Sequence, residues 1–576
     1  MSARGSAELV ITGRIATLSG DDGFGWQRGI AMADGRVIAV GDAADLEPLV
    51  GPGTTRWRLT DDMLVVPGIT DAHLHLMSLV LAERHVDLTG ANLDEALERI
   101  GARHREMAAA GDPDGWLLGH GWSLHSFGRW PDAALLESVA PNRPVALYAH
   151  DHHTRWVSRR ALELAGVDPA FVDPDGGLIR RDADGTPTGI LHEVASVLVD
   201  PAIPNPSPDE LAAGLERVSA TLHRLGLTGC HDPGELTSDA DIERGPVFYR
   251  AIAASGRLPL RVHSSVRAPQ LERATELGLS SGQGIEPEPG LDERSARRAE
   301  RYRMGWLKLF ADGSLGSRSA ALLAPYTDAG VNPPTGGPTG MVLTDAAELA
   351  ELLGRAAKAG ISGQVHAIGD AAVRTALDVF DASSAVAQRA NQPSPLMPRI
   401  EHAQLIDPAD MPRFGALGIA ASVQPVHLRS DADPARAAWG ARTANTFPLR
   451  ALIDGGALIP IGTDAPVEPP DPWPGLAVAV ARRDPFHPDD QQTGAHHAIT
   501  LARALRAACL DPALVAGAEQ ELGRLMPGYR ADLIVVSASA WREPFEPAEF
   551  ASIRPLATLL DGEVVHRSGE FDPFEG

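Results

Sequence analysis

At 576 residues the chain is far longer than one small core requires, and its 44% hydrophobic and 22% charged composition is that of an ordinary globular protein. The formal charge of -25 argues against a nucleic-acid or anionic-membrane surface, because phosphates are repelled rather than neutralised, and it favours small or neutral partners. Cys230 and Cys509 cannot form a disulfide framework and neither lies in a CxxC pair, so a reducing compartment is expected; with no signal-like N-terminus and no run of ~20 apolar residues, that compartment is the cytoplasm.

Residues 1–66 read as short strands: "ELVITG", "RIATL" and "GIAMADGRVIAVG", the last a hairpin about Asp34-Gly35. The C-terminal "ADLIVVS" and "LDGEVVHRSG" read the same way, so the two ends, 1–66 and 525–576, are expected to form one small β-sandwich. Between them eight apolar runs alternate with helical stretches: "LVVPGITDAHLH", "LTGCHD", "LPLRVHSS", "GWLKLFADG", "ISGQVHAIGD", "PRIEHAQL", "GIAASVQP" and "LIPIGTDAP". Eight alternating units over 67–524 predict an α/β fold, a (β/α)8 TIM barrel. The helices carry their own signals, such as the capping box of Ser207 and Glu210 ahead of "LAAGLERVSATLHRLG". About 150 residues separate the first run from the second, against about 30 to 60 later, which marks a large insertion after strand one at roughly 77–206.

Chemistry gathers where the runs end. "DAHLHL" sets His73 and His75 two apart, so that on a strand both imidazoles project from one face, a spacing suited to a divalent transition metal; the plain alternative is two polar strand-end residues. The fifth run ends at His366, the sixth at His402 and the eighth at Asp464, all at the same rim. Any one alone reads as a core histidine or an N-cap aspartate; five together read as ligands. Lys308, between Trp306, Leu307, Leu309 and Phe310, is expected to be buried and held neutral, able to capture carbon dioxide as a carbamate that bridges two metals; the alternative is an ion pair with Asp312.

This order of residues resembles the amidohydrolase superfamily. "PGITDAHLHL", "KLFADGSLGSRSAAL", "VHAIGDAAV", "RIEHAQL", "ASVQPVH", "GTDAPVEPPDPW" and "LMPGYRADLIVV", in order from Val66 to Val536, are similar to the YtcJ-like branch that contains N-substituted formamide deformylases. The resemblance implies a barrel with a terminal β-sandwich and a divalent centre of one or two ions, most often zinc. Its ligands would be His73, His75, carboxylated Lys308, His366, His402 and Asp464. Metal ions lower the pKa of bound water and polarise a carbonyl. Asp464 would then take the proton and pass it to the departing amine, giving hydrolysis of an amide-type C–N bond.

"YAHDHHTRWVS" looks like a metal site, yet the resemblance places it in the insertion, expected to cover the active site. Asp151, His153 and Trp156 fit the family element, whereas His152 stands for Gly, Ser158 for Asn and Arg159 for Ser. His153 and Trp156 are therefore expected substrate contacts, with Trp122, Glu193, Asp312, Ser314 and His427 as further pocket candidates for which a structural role is the alternative. Rival readings are hydrolysis of carbamates, esters or lactams, deamination of an aminated ring, or a non-catalytic metal-binding regulator. No GxSxG elbow and no GK[ST] loop supports other chemistry. The expected partners are a small-molecule substrate and, by default, a second copy in a homodimer.

Overall fold

The computed structural model describes all residues except 1–5, 21–22, 150–153, 175, 237–241, 331–333, 335, 383–395, 543 and 576. It divides into two compact units, 1–78 with 216–576, and 79–215.

In the larger unit both chain ends build one mixed nine-stranded sheet. Asp34 and Gly35 both have positive φ, +50° and +73°, the backbone that a two-residue hairpin of the primed type demands between Trp26–Ala33 and Arg36–Gly41. The two ends meet where Leu533–Ser537 pairs antiparallel with Met63–Pro67. Alternation along these strands sends Ile11, Ile15, Ile30, Val65, Leu533, Val535 and Leu559 into one core.

From this sheet the chain enters a second sheet of seven parallel strands in sequence order: Ile69–Asp71, Leu227–Asp232, Arg261–Arg267, Tyr302–Phe310, Gly363–Ala367, Arg399–His402 and Ala420–Ser422. The eighth apolar run is not a full strand. It makes one parallel bridge, Val423 to Ile461, because Pro460 has no N–H to extend a ladder. Its backbone nevertheless reaches both edges: the N–H of Val423 donates to Pro460 O, and that of Ala72 donates to Ile461 O, at 3.0 and 3.1 Å. Helices such as Ala346–Lys358 and Asp370–Ala382 connect consecutive strands.

Residues 79–215 form a six-stranded mixed sheet packed on Leu93–Ala109 and Ala133–Val139. Asn92 and Glu95 cap the longer helix reciprocally. Among the described residues no helix is long and apolar enough to cross a membrane.

Candidate metal centre

The site forms where the parallel strands give way to loops. Asp71, fully buried at the end of its strand, accepts the N–H groups of His73 and Thr463 at 3.0 Å and the Thr463 hydroxyl at 2.6 Å. One carboxylate thus ties the loop after the first strand to the loop carrying Asp464. The Asp464 N–H donates to His73 O at 2.7 Å, and that of His75 donates to Ala465 O at 2.9 Å. The result sets Asp464 Oδ1 3.4 Å from His73 Nε2 and 3.3 Å from His75 Nε2, although both histidines lie just past the strand rather than on it. Asp464 and His402 both hold left-handed backbone, φ +63° and +67°, which for such residues costs on the order of 1–3 kcal/mol each and recurs at functional sites.

His73, His75, Lys308, His366, His402 and Asp464 all line one cavity of about 630 Å³. The His402 ring lies 4.5 Å from that of His366 and 5.1 Å from that of His73, centroid to centroid. Burial pulls the His73 imidazole down to about 4, that of His366 to about 3 and that of His402 well below its ordinary value. Burial likewise brings the Lys308 amine down to about 7. For Asp464 burial acts upward, but hydrogen bonds from His427 and His75 prevail and keep it well below the usual carboxylate range. His73, His366 and His402 are therefore neutral nitrogens beside an ionised carboxylate.

Among the described residues, three buried atoms of this cavity's lining side chains have no hydrogen-bond partner: His73 Nε2, Lys308 Nζ and His402 Nδ1. An unpaired buried polar atom is costly, and three of them on side chains that line one cavity are explained if a cation completes them. His73, His75 and Asp464 each bring a ligand atom within 4.8 Å of the others, as do His402, His427 and Asp464. Imidazole nitrogens with a carboxylate oxygen fit a divalent transition ion.

Residues 61–566 match the profile of the Amidohydrolase family. The chain belongs to that family. Protein LONG AFTER FAR-RED 3 of Arabidopsis thaliana is 31% identical over 568 residues, covering 97% of this chain and 92% of that protein. The N-substituted formamide deformylase of Arthrobacter pascens is 28% identical over 558 residues, covering 92% of this chain and 94% of that enzyme. An uncharacterized metal-dependent hydrolase from Pyrococcus furiosus superposes with a TM-score of 0.71 at 25% identity, covering 94% of this chain and 99% of that one.

Around the donors of this amidohydrolase-family chain lies a second layer that sequence reasoning missed. Glu401 accepts from His73 Nδ1, from Arg399 and, at 3.0 Å, from Gln364 Nε2, and His75 Nδ1 donates to Gly234 O. Such partners fix the tautomer and orientation of ligating rings. The available signal was the acidic residue immediately before His402 in "RIEH".

The expected substrate contacts separate into groups. His427 lines the cavity with Nε2 3.3 Å from Asp464 Oδ2 and Nδ1 3.5 Å from Glu468 Oε1; burial acts downward on it, yet these hydrogen bonds raise it to about 10. Ser314 also lines the cavity and shares a 2.9 Å hydrogen bond with Ser317 Oγ. Asp312 is fully buried and accepts the N–H groups of Ala321, Ile368 and Gly369, so it organises loops rather than meeting substrate; nor does it pair with Lys308, and burial pushes it up to about 7.

Trp122 and Trp156 are core residues of the 79–215 unit rather than exposed contacts. They pack on each other and on Phe127, and their N–H groups donate to Leu147 O and Asp132 O at 2.9 Å. Glu193 is exposed in that unit at φ +51°. His153 and the rest of 150–153 lie outside the described residues. Ser158 is the N-cap of Arg159–Leu164, its Oγ accepting from Ala161 N, a role that explains a small hydroxyl at this position.

Proposed function

We propose that this chain is a metal-dependent hydrolase that cleaves an amide-type C–N bond of an N-substituted formamide or N-acyl amine. The observation that carries the reading is that His73, Lys308 and His402, each with a buried nitrogen that has no hydrogen-bond partner among the described residues, line the cavity that also holds Asp464. The formamide deformylase relative supports the bond class.

One or two divalent ions, zinc by the donor chemistry, would be held by His73, His75, Lys308, His366, His402 and Asp464, and when bound supply a Lewis acid that polarises the scissile carbonyl and acidifies water. The chain's own residues do the rest. Asp464, ionised and placed between the His73–His75 pair and His427, accepts the proton of the attacking water and delivers it to the departing amine nitrogen. His427 holds Oδ2 and keeps the carboxylate oriented between these transfers. Lys308, as a neutral amine, attacks carbon dioxide through Nζ and releases one proton, becoming a carbamate that adds an anionic oxygen donor.

The test is a hydrolysis screen of the zinc-loaded protein against formamides, N-acyl amines, carbamates, lactams and esters, run beside Asp464→Asn. Turnover of formamides or N-acyl amines that falls by about 10²- to 10⁴-fold in the variant, with metal content retained, is expected. A zinc-loaded wild type that hydrolyses neither class overturns the reading.

A further inference from the structure

The cavity carries one cation that the proposed chemistry does not use. Arg267 ends the third parallel strand, beside Lys308 in the register of the fourth, and is the single arginine among the described lining residues. Its guanidinium lies over the Phe310 ring, 4.5 Å from the centroid, and its Nη1 donates to Glu235 O. No carboxylate stands within ion-pair distance of it among the described residues, in contrast to Arg261, Arg301 and Arg399, each of which is tied to aspartate or glutamate. Arg267 is thus a half-buried planar cation lining the cavity, with one edge committed to a carbonyl and its charge offset only at longer range by Asp232 and Glu235.

Two carboxylates also line the cavity, each with a partner of its own. Asp431 accepts from Gln404 Nε2 at 2.8 Å, and Glu468 accepts from Ser430 Oγ at 3.1 Å and stands 3.5 Å from His427. A cationic substrate group would share these carboxylates with Gln404, Ser430 and His427. An anionic group would find Arg267 open, and a guanidinium pre-set on an aromatic face matches a carboxylate in shape as well as in charge. Leu236, Phe310, Leu315, Ile368 and Val467 give the same cavity an apolar lining for the rest of the molecule.

We propose that Arg267 is a specificity-determining residue that receives a carboxylate of the substrate, so that the preferred substrates are N-acyl amines bearing both a carboxylate and an apolar group. This rests on the hydrolase reading above, and the experiment separates the two. Wild type, Arg267→Gln and Arg267→Lys, all zinc-loaded, are assayed on N-formyl-phenylalanine and on its uncharged amide, and binding of both compounds is measured by calorimetry.

Wild type is expected to favour the carboxylate compound at least about tenfold in kcat/KM. Arg267→Gln should lower that value by roughly 100-fold while changing the amide by less than about threefold, as removal of one partner from a desolvated charge pair does. Arg267→Lys should restore part of the preference. A merely structural role would lower both compounds alike, and that result, or no preference in wild type, overturns the proposal. Should neither compound be hydrolysed, the hydrolase reading fails for this class. Tighter calorimetric binding of the carboxylate in wild type, lost in Arg267→Gln, still supports the subsite, and equal affinities overturn it.

Discussion

Glu401 receives the Nδ1–H of His73 across two elements that lie 328 residues apart in sequence. Burial acts upward on Glu401, but Arg399 and His73 overcome it and hold the carboxyl well below its usual range, so it is an acceptor only. The His73 proton therefore resides on Nδ1, and Nε2 is left with a lone pair aimed at the cavity.

Glu401→Gln removes that constraint, because an amide can present either N–H or C=O to the ring. Divalent-metal affinity should fall about 10- to 100-fold, read by chelator competition on the purified protein. Thermal stability should fall as well, since Arg399 loses its buried carboxylate partner. Unchanged metal affinity would show that the pair does not orient His73.

Lys308 is buried with Nζ unpartnered, over the same Phe310 ring that carries Arg267, and 4.9 Å from its centroid. If it carries a carbamate, metal uptake by the stripped protein depends on bicarbonate as well as on zinc. Lys308→Ala should bind less metal by elemental analysis and lose the bicarbonate response. Two ions bound to the alanine variant as tightly as to wild type would remove the bridging role.

The rim of the parallel sheet was legible because each of His366, His402 and Asp464 follows an apolar run directly, and in a parallel sheet every such run ends on the same side. Glu401 and Arg267 were not. The period of two assigns alternate residues to alternate faces but does not say which face meets the cavity, and Glu401 acquires its function only when His73 is brought beside it. Trp122 and Trp156 show the converse. An indole in a short polar motif reads alike whether it faces a ligand or a core, and only its neighbours decide. The eighth run was counted as a strand from its apolar residues, whereas Pro460 limits it to one bridge.

A last prediction concerns the junction of the two sheets of the larger unit. Asp561 accepts from Arg261 and, at 2.9 Å, from Arg301 Nε, and it lies 3.6 Å from Arg530 Nη1; Arg261 is also bound by Asp532. Burial raises the Asp561 carboxyl, but the three arginines outweigh it and bring it to about 2 from an unfolded value of 3.8. A carboxylate depressed on folding contributes stability that is fully present above the unfolded value and is lost as pH falls through the folded one. The contribution is on the order of 2 kcal/mol and should vanish between about pH 4 and pH 2. Asp561→Asn should therefore melt well below wild type at neutral pH, having left buried arginines short of a partner. The gap in melting temperature should narrow steadily as the pH is lowered through that window, as measured by scanning calorimetry of both proteins. A gap that stays constant from pH 7 to the acid limit would mean that the ionised form of Asp561 does not hold the two sheets together.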